Sequence, residues 1–312
     1  MFNIHLVRTI TAMTGCIACL LMLGVSTIAN AASASSLKYE VFSSPESQFG
    51  TNSIILYGRE DAVLFDTAFT KSSAEKLAQK IKKLDRKLTA IYLTHGHPDH
   101  AMSASRILDF FPGVKIYASP GVRGELERDF YSKLVRWQID FPNDLSHELP
   151  PMYPLEGKIF LEGQEIQWLD VIGGESWDAT AFYVPSIKTL ISGDLIFNKM
   201  HLYNADVYRP QMWIDILDLL QPTFGDIKTL IPGHGEVGDA SLIDLNRKYL
   251  EEFISVATLP FPDLAKVHDH MVKEFPDWTW PMILHMTRGP AITYPELMQL
   301  YAPKQAEVAH NQ

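Results

Sequence analysis

The segment His95-Gly96-His97-Pro98-Asp99-His100 places four potential metal donors within six residues. It follows residues 89–94, an apolar and β-branched run that reads as a buried strand. Extended backbone entering a turn can aim the alternate side chains His95 and His97 at one point. Asp99 and His100, at the start of the next helix, reach a second point a few ångströms away. Such a cluster suits two cations about 3.5–4 Å apart. Imidazole and carboxylate donors suit zinc, and also manganese or iron.

Thiolate is absent from this donor set for a reason that lies at the start of the chain. The only two cysteines, Cys16 and Cys19, fall within residues 1–31. That stretch has a short basic start at His5 and Arg8, an apolar run densest over residues 16–25, and the small-residue exit Ala29-Asn30-Ala31. It reads as a cleaved export signal, which predicts a periplasmic or secreted protein with no stable membrane insertion. The apolar run is short for a spanning helix. With Arg8 removed, 26 basic residues remain against 37 acidic ones, a net charge of −11. That balance argues against a nucleic-acid partner, because no excess of cations is available to neutralise phosphates. The expected partner is a small-molecule substrate; the sequence says nothing of oligomeric state.

Along the rest of the chain, strand-type runs at residues 38–42, 53–57 and 62–65 precede a helix. Ser72-x-x-Glu75 reads as that helix's capping box, with Leu77, Ile81 and Leu84 at helical spacing. A helical stripe over 102–111, a strand at 114–118 and a helix over 120–137 follow. Residues 139–154 are rich in Pro and acid, a long loop that is either a lid or a connector. Further strands are expected at 166–171, 181–184, 189–191 and 229–231, with a helix through Trp213, Ile216, Leu217 and Leu220. Asp194 would lie just past the third of these strands. The alternation predicts an α/β layered domain over 32–240. A helical extension over 241–312 packs on the same domain.

Taken together, the ordered polar positions at strand ends resemble the metallo-β-lactamase superfamily. Asp66 in Leu64-Phe65-Asp66-Thr67 matches a supporting aspartate behind the metal ligands. Asp194 in Ser192-Gly193-Asp194 matches the carboxylate that bridges both metals, and His234 in Pro232-Gly233-His234-Gly235 matches a ligand of the second. The resemblance implies an αββα sandwich of two mixed sheets flanked by helices, with the metals at one edge. It also implies a metal ligand set of His95, His97, Asp99, His100, Asp194 and His234.

One position departs from that pattern. Where the family has a histidine, this chain has Glu175, within Gly173-Gly174-Glu175-Ser176-Trp177-Asp178. Either Glu175 is itself a ligand, or Asp178 or His201 takes the place, or the first metal site is weak. A third carboxylate would make the bound metals weaker Lewis acids and favour harder ions.

The resemblance further implies a dinuclear hydrolase in which a hydroxide shared by the metals attacks the carbonyl of a small ester, lactone, thioester or β-lactam. Asp99 is the candidate proton carrier. His201, on a loop leaving the strand that carries Asp194, is either an oxyanion contact or a surface histidine. The alternative is a metal-binding protein that lost catalysis through the change at Glu175. His268, His270 and His285 read as surface or packing residues of the tail, and Trp278 and Trp280 as core.

Overall fold

The computed structural model describes residues 37–204, 209–257, 263–281 and 283–286, all in the unit spanning residues 35–312. The expected export signal, with Cys16 and Cys19, lies outside the described residues. So do the end of the tail, from residue 287, and the side chain of His285.

Strands β1 (Lys38–Ser43), β2 (Asn52–Tyr57) and β3 (Asp61–Phe65) form an antiparallel meander. The sheet then continues in parallel through β4 (Lys87–Tyr92), β5 (Lys115–Ala118) and β6 (Met152–Pro154). Parallel pairing requires crossovers. These are α1 (Lys71–Lys83), the pair α2 (Pro98–Ala101) and α3 (Ala104–Phe110), and α4 (Pro120–Trp137). A second sheet has the order β11-β10-β9-β8-β7. It contains β7 (Ile159–Leu161), β8 (Gln164–Ile172), β9 (Asp178–Val184), β10 (Thr189–Phe197) and β11 (Thr229–His234). β10 and β11 are parallel, joined through α5 (Pro210–Phe224), and the other pairs are antiparallel.

Alternation along the strands produces three layers of core. Phe65, Val63, Ile54 and Tyr92 of the first sheet meet Phe182, Val184, Ile191 and Ile231 of the second. The opposite face of the first sheet, with Leu64 and Ile91, packs on Leu77 and Ile81 of α1 and on Val122 of α4. The outer face of the second packs on Trp213 and Leu217 of α5 and on Tyr249 and Phe253 of α6 (Ser241–Val256). Val267 and Met271 of α7 (Leu264–Glu274) and Leu284 of α8 (Ile283–Met286) join the same layer. The molecule is therefore an α/β sandwich of two mixed sheets between helices. Each fully buried Phe, Ile or Leu contributes about 1.5–3 kcal/mol.

Several local expectations need correction. The cap of α1 is Thr70, not Ser72: the Ser73 amide donates to its Oγ1. Ser72 instead donates its hydroxyl to Asp144. The helix expected over 102–111 is α3, which begins only at Ala104; Ser103 separates it from α2, its amide donating to Ala68 O and its hydroxyl to Phe69 O. β10 runs on to Phe197, so Asp194 lies within the strand. Residues 152–154 form β6, and the short strand β7 had no sequence prediction at all. The 139–154 segment is pinned to α1 through Asp144 and buries Leu145 against Phe69 and Phe130. Asn246 of α6 fastens the helical tail to β10, its side chain bonding both the amide and the carbonyl of Phe197.

Candidate metal centre

Five segments bring donors to one edge of the sandwich. The turn after β4 supplies His95 and His97, α2 supplies Asp99 and His100, the turn between β8 and β9 supplies Glu175, β10 supplies Asp194, and β11 ends on His234. Carboxyl ends of parallel strands are where α/β sheets present ligand sites. Here the parallel pair β10 and β11 sets Phe197 opposite His234, which aligns their two donors. Gly193 permits the approach of β10 to Thr94: a Cβ there would lie 2.6 Å from Thr94 Oγ1.

Asp66, at φ 57° just past β3, organises the histidines from behind. Its Oδ1 accepts the Thr94 amide at 2.8 Å, and its Oδ2 accepts the Thr94 hydroxyl at 2.7 Å. Because that hydroxyl donates to Asp66, it accepts from His95 Nδ1, 2.9 Å away. Asp66 Oδ2 also accepts from His100 Nδ1 at 2.8 Å. His234 Nδ1 donates to Phe49 O at 2.8 Å. In all three rings the proton is thereby held at Nδ1, and Nε2 faces inward with its lone pair.

The inward atoms form two groups of donors. His95, His97, Glu175 and Asp194 make the first; Asp99, His100 and His234 make the second, with atoms in each group within 4.8 Å of one another. Asp194 links them. Its Oδ2 is 3.7 Å from His95 Nε2 and 3.2 Å from His234 Nε2, and its Oδ1 is 3.1 Å from His100 Nε2. Glu175 Oε1 lies 2.8 Å from His97 Nδ1, and its Oε2 lies 3.7 Å from His95 Nε2. Asp99 Oδ2 is 3.4 Å from both His100 Nε2 and His234 Nε2 and accepts the Thr51 hydroxyl at 2.7 Å.

These residues fit a metal pair. Two donors bound to one zinc at about 2.0–2.2 Å can lie no more than about 4.4 Å apart, and the individual donor pairs given above, at 2.8–3.7 Å, fall inside that limit. His95 Nε2 is fully buried without a hydrogen-bond partner, an orphaned lone pair that a cation would satisfy. Two divalent ions against Asp99, Asp194 and Glu175 would leave a net charge of +1.

The surrounding charges act on the histidines in opposite directions. Burial and then the neighbouring His100 hold His95 well below the ordinary imidazole range, in its donor form. Burial also disfavours charge on His100 and on His234. For both, the carboxylates of Asp194 and Asp99 outweigh it and raise the pKa. Burial opposes ionisation of Asp194, but His100, His234 and His95 overcome it and hold the carboxyl well below its usual range.

Above the donors opens a cleft of about 310 Å³, walled by Phe49, Trp137, Tyr203, Met200 and Ile283, with Lys133 at one side. No residue of 139–154 lines it; that segment packs against α1 and α4 instead.

Two sequence candidates stand outside the cluster. Asp178 sits at the start of β9, where burial, then Glu125 and Asp170, push its carboxyl up to about 6. His201 is fully buried in the helical layer on the outer face of the second sheet. Its Nδ1 pairs with Tyr249 Oη at 2.9 Å, and its ring packs on Trp278. It is absent from the cleft wall, which argues against the oxyanion contact, and its full burial removes the alternative of a surface histidine. Its position next to a ligand-bearing strand was misleading, because the chain turns inward at Met200 and Leu202. Trp278 packs on the core as expected, whereas Trp280 also stands against the cleft residue Phe49, ring centroids 5.1 Å apart. His268 and His270 pair with Asp269 and Glu252 on the tail. Sequence reasoning missed Thr51, Thr94 and Phe49: Thr51 and Phe49 act on partners distant in the chain, and Thr94, though next to His95, is marked only by its bonds to the distant Asp66.

A family model described as the metallo-beta-lactamase superfamily matches residues 47–234. A probable metallo-hydrolase of Streptococcus pyogenes is 28% identical over 152 residues, covering 48% of this chain and 63% of the relative's own length. The hydroxyacylglutathione hydrolase GloC of Haemophilus influenzae is 36% identical over 157 residues, covering 49% of this chain and 70% of that one. The crystal structure of the metallo-beta-lactamase DIM-1 superposes with a TM-score of 0.52 at 19% identity, over 69% of this chain and 93% of the other, which shows a shared fold. The family-model match runs through every donor-bearing segment as far as His234, and this chain belongs to the metallo-beta-lactamase superfamily.

Proposed function

We propose that this chain is an exported, dinuclear metal-dependent hydrolase acting on the carbonyl of a small ester, lactone, thioester or β-lactam. The observation that carries the reading is the position of Asp194, within 3.7 Å of His95, His100 and His234 and so shared between two donor groups. His95, His97, Glu175 and Asp194 would hold one divalent ion, and Asp99, His100, His234 and Asp194 the other. Zinc suits these donors, and so do manganese and iron. Bound ions would supply Lewis acidity to a carbonyl and acidify a water.

The chain's own residues do the rest. Asp66 and Phe49 O fix the histidine tautomers, so that no reorientation is needed when substrate arrives. Asp99, at the cleft and anchored by Thr51, is placed to orient the nucleophile and to pass its proton to the leaving group. The aromatic and aliphatic walls shed water from an apolar substrate body. Export rests on the signal-like residues 1–31, and among the described residues no helix is long and apolar enough to cross a membrane.

Metal analysis of the purified protein, followed by a panel of lactones, thioesters, esters and β-lactams with each metal reconstituted, tests the proposal. Two ions per chain and turnover of a panel member are expected. Tight metal binding with no turnover would favour the non-catalytic metal-binding protein instead. A protein that binds no metal, with a melting temperature unmoved by zinc, would overturn both.

A further inference from the structure

The turn that carries His95 and His97 is gripped from two sides. On one, Thr94 O accepts the Thr180 amide of β9 at 2.7 Å, and His95 bridges to Ala179. On the other, α4 presents an ion pair that the proposed reaction does not use. Lys133 Nζ donates to Gly96 O at 3.2 Å and to Glu125 Oε1 at 3.3 Å. The Glu125 side chain is 1% exposed and that of Lys133 is 20% exposed.

Gly96, the residue between the two histidines, lies directly against Glu125: a Cβ there would stand 2.9 Å from Glu125 Cδ and 3.0 Å from its Cγ. That approach leaves no room for a side chain at position 96, and the Lys133 bond ties the Gly96 carbonyl to α4. A buried ion pair adds little net stability, because desolvation offsets much of its attraction. What this one does is fix a backbone carbonyl between two donors.

We infer that Lys133 and Glu125 are positioning residues for the first donor group: they clamp Gly96 and so set the spacing of His95 Nε2 and His97 Nδ1. The inference rests on the metal-centre reading above. It makes a prediction that charge alone would not. Lys133 is a cation close to the first group, so on electrostatics its removal would tighten binding of a second cation. On positioning, its removal weakens binding, because the turn loses its hold.

The test is chelator competition for zinc on the full chain, with cobalt(II) absorption as a reporter of ligand geometry. Lys133→Met is expected to lower zinc affinity at one of two sites about 10–100-fold, the range for loss of an outer partner of a metal ligand. Lys133→Arg is expected to recover most of it. Lys133→Met leaves Glu125 buried without its cation, which threatens folding. The double variant Lys133→Met/Glu125→Gln removes that charge and is expected to fold while keeping the affinity loss, since Gly96 O remains unheld. Unchanged or tighter zinc binding in the double variant, with a wild-type cobalt spectrum, would overturn the inference while leaving the metal centre intact. Failure of the wild-type chain to bind zinc at all would overturn the metal centre itself and the inference with it.

Discussion

His97 Nδ1 and Glu175 Oε1 stand 2.8 Å apart, joining the turn after β4 to the turn before β9. Glu175 thereby occupies the corner of the first donor group where the resemblance leads one to expect an imidazole. A carboxylate there adds negative charge to a site already holding Asp194, which strengthens attraction for hard cations and reduces their Lewis acidity.

Substituting this corner should move one metal and leave the other. Glu175→Gln is expected to weaken binding at the first group by more than about 100-fold, beyond the 10–100-fold cost of disturbing an outer partner. The second ion stays on Asp99, His100 and His234. Glu175→His is expected to restore binding with a shift in preference from manganese toward zinc. Metal stoichiometry after dialysis against each ion checks both; two retained ions in Glu175→Gln would remove Glu175 from the ligand set.

Asp66 accepts three hydrogen bonds on two oxygens, and a neutral amide cannot reproduce them. Asp66→Asn is therefore expected to loosen both His95 and His100 and to lower metal affinity about 10–100-fold. An orphaned Thr94 amide or hydroxyl would cost about 1–3 kcal/mol of stability besides. Zinc titration and denaturant unfolding of the variant measure the two effects separately.

His201 is held near pKa 4, first by burial and then by the charge of His268. A histidine with a depressed folded pKa contributes stability that is present above its unfolded value near 6.5 and lost as pH falls toward 4. The loss is at most roughly 3 kcal/mol over that window. In His201→Gln the melting temperature should fall less between pH 7 and pH 4 than in the wild type. Parallel pH profiles for the two proteins would show that the His201 ring does not carry this acid sensitivity.

Glu162 accepts the amides of Arg59, Glu60 and Asp61 at 2.6–2.9 Å, so the turn between β7 and β8 holds the turn between β2 and β3. The carboxyl is lowered from its ordinary value by those amides. The site is exposed, so water replaces much of what is lost, and Glu162→Ala is expected to cost about 1 kcal/mol. Urea unfolding should show a lower midpoint with an unchanged slope.

Local sequence sufficed wherever local physics dominates. The helix expected over 120–137 is bounded in the structure at those residues, with Pro120 at its first turn. The density of donors over residues 95–100 announced a ligand cluster, because a turn after a strand brings near neighbours together whatever the rest of the chain does. Asp194 and His234 were legible only as members of an ordered set, since a single Gly-Asp or Gly-His-Gly has no local signature. Strand ends were less legible: β10 runs past Gly193 because β11 pairs alongside it, a long-range fact absent from the run 189–191 itself.

The sequence by itself determined the chemistry on offer: oxygen and nitrogen donors without thiol after residue 31, at the ends of buried strands. Only the tertiary structure decided which donors meet. It brought Glu175 to His97 and left Asp178 beside Glu125. It turned His201 into the core against Tyr249, although the sequence places that residue seven positions past Asp194. Residue type and order set what a side chain can bind. Its direction depends on which face of its segment the packing of two sheets and their helices requires to be buried, and that is settled by contacts far away in the chain.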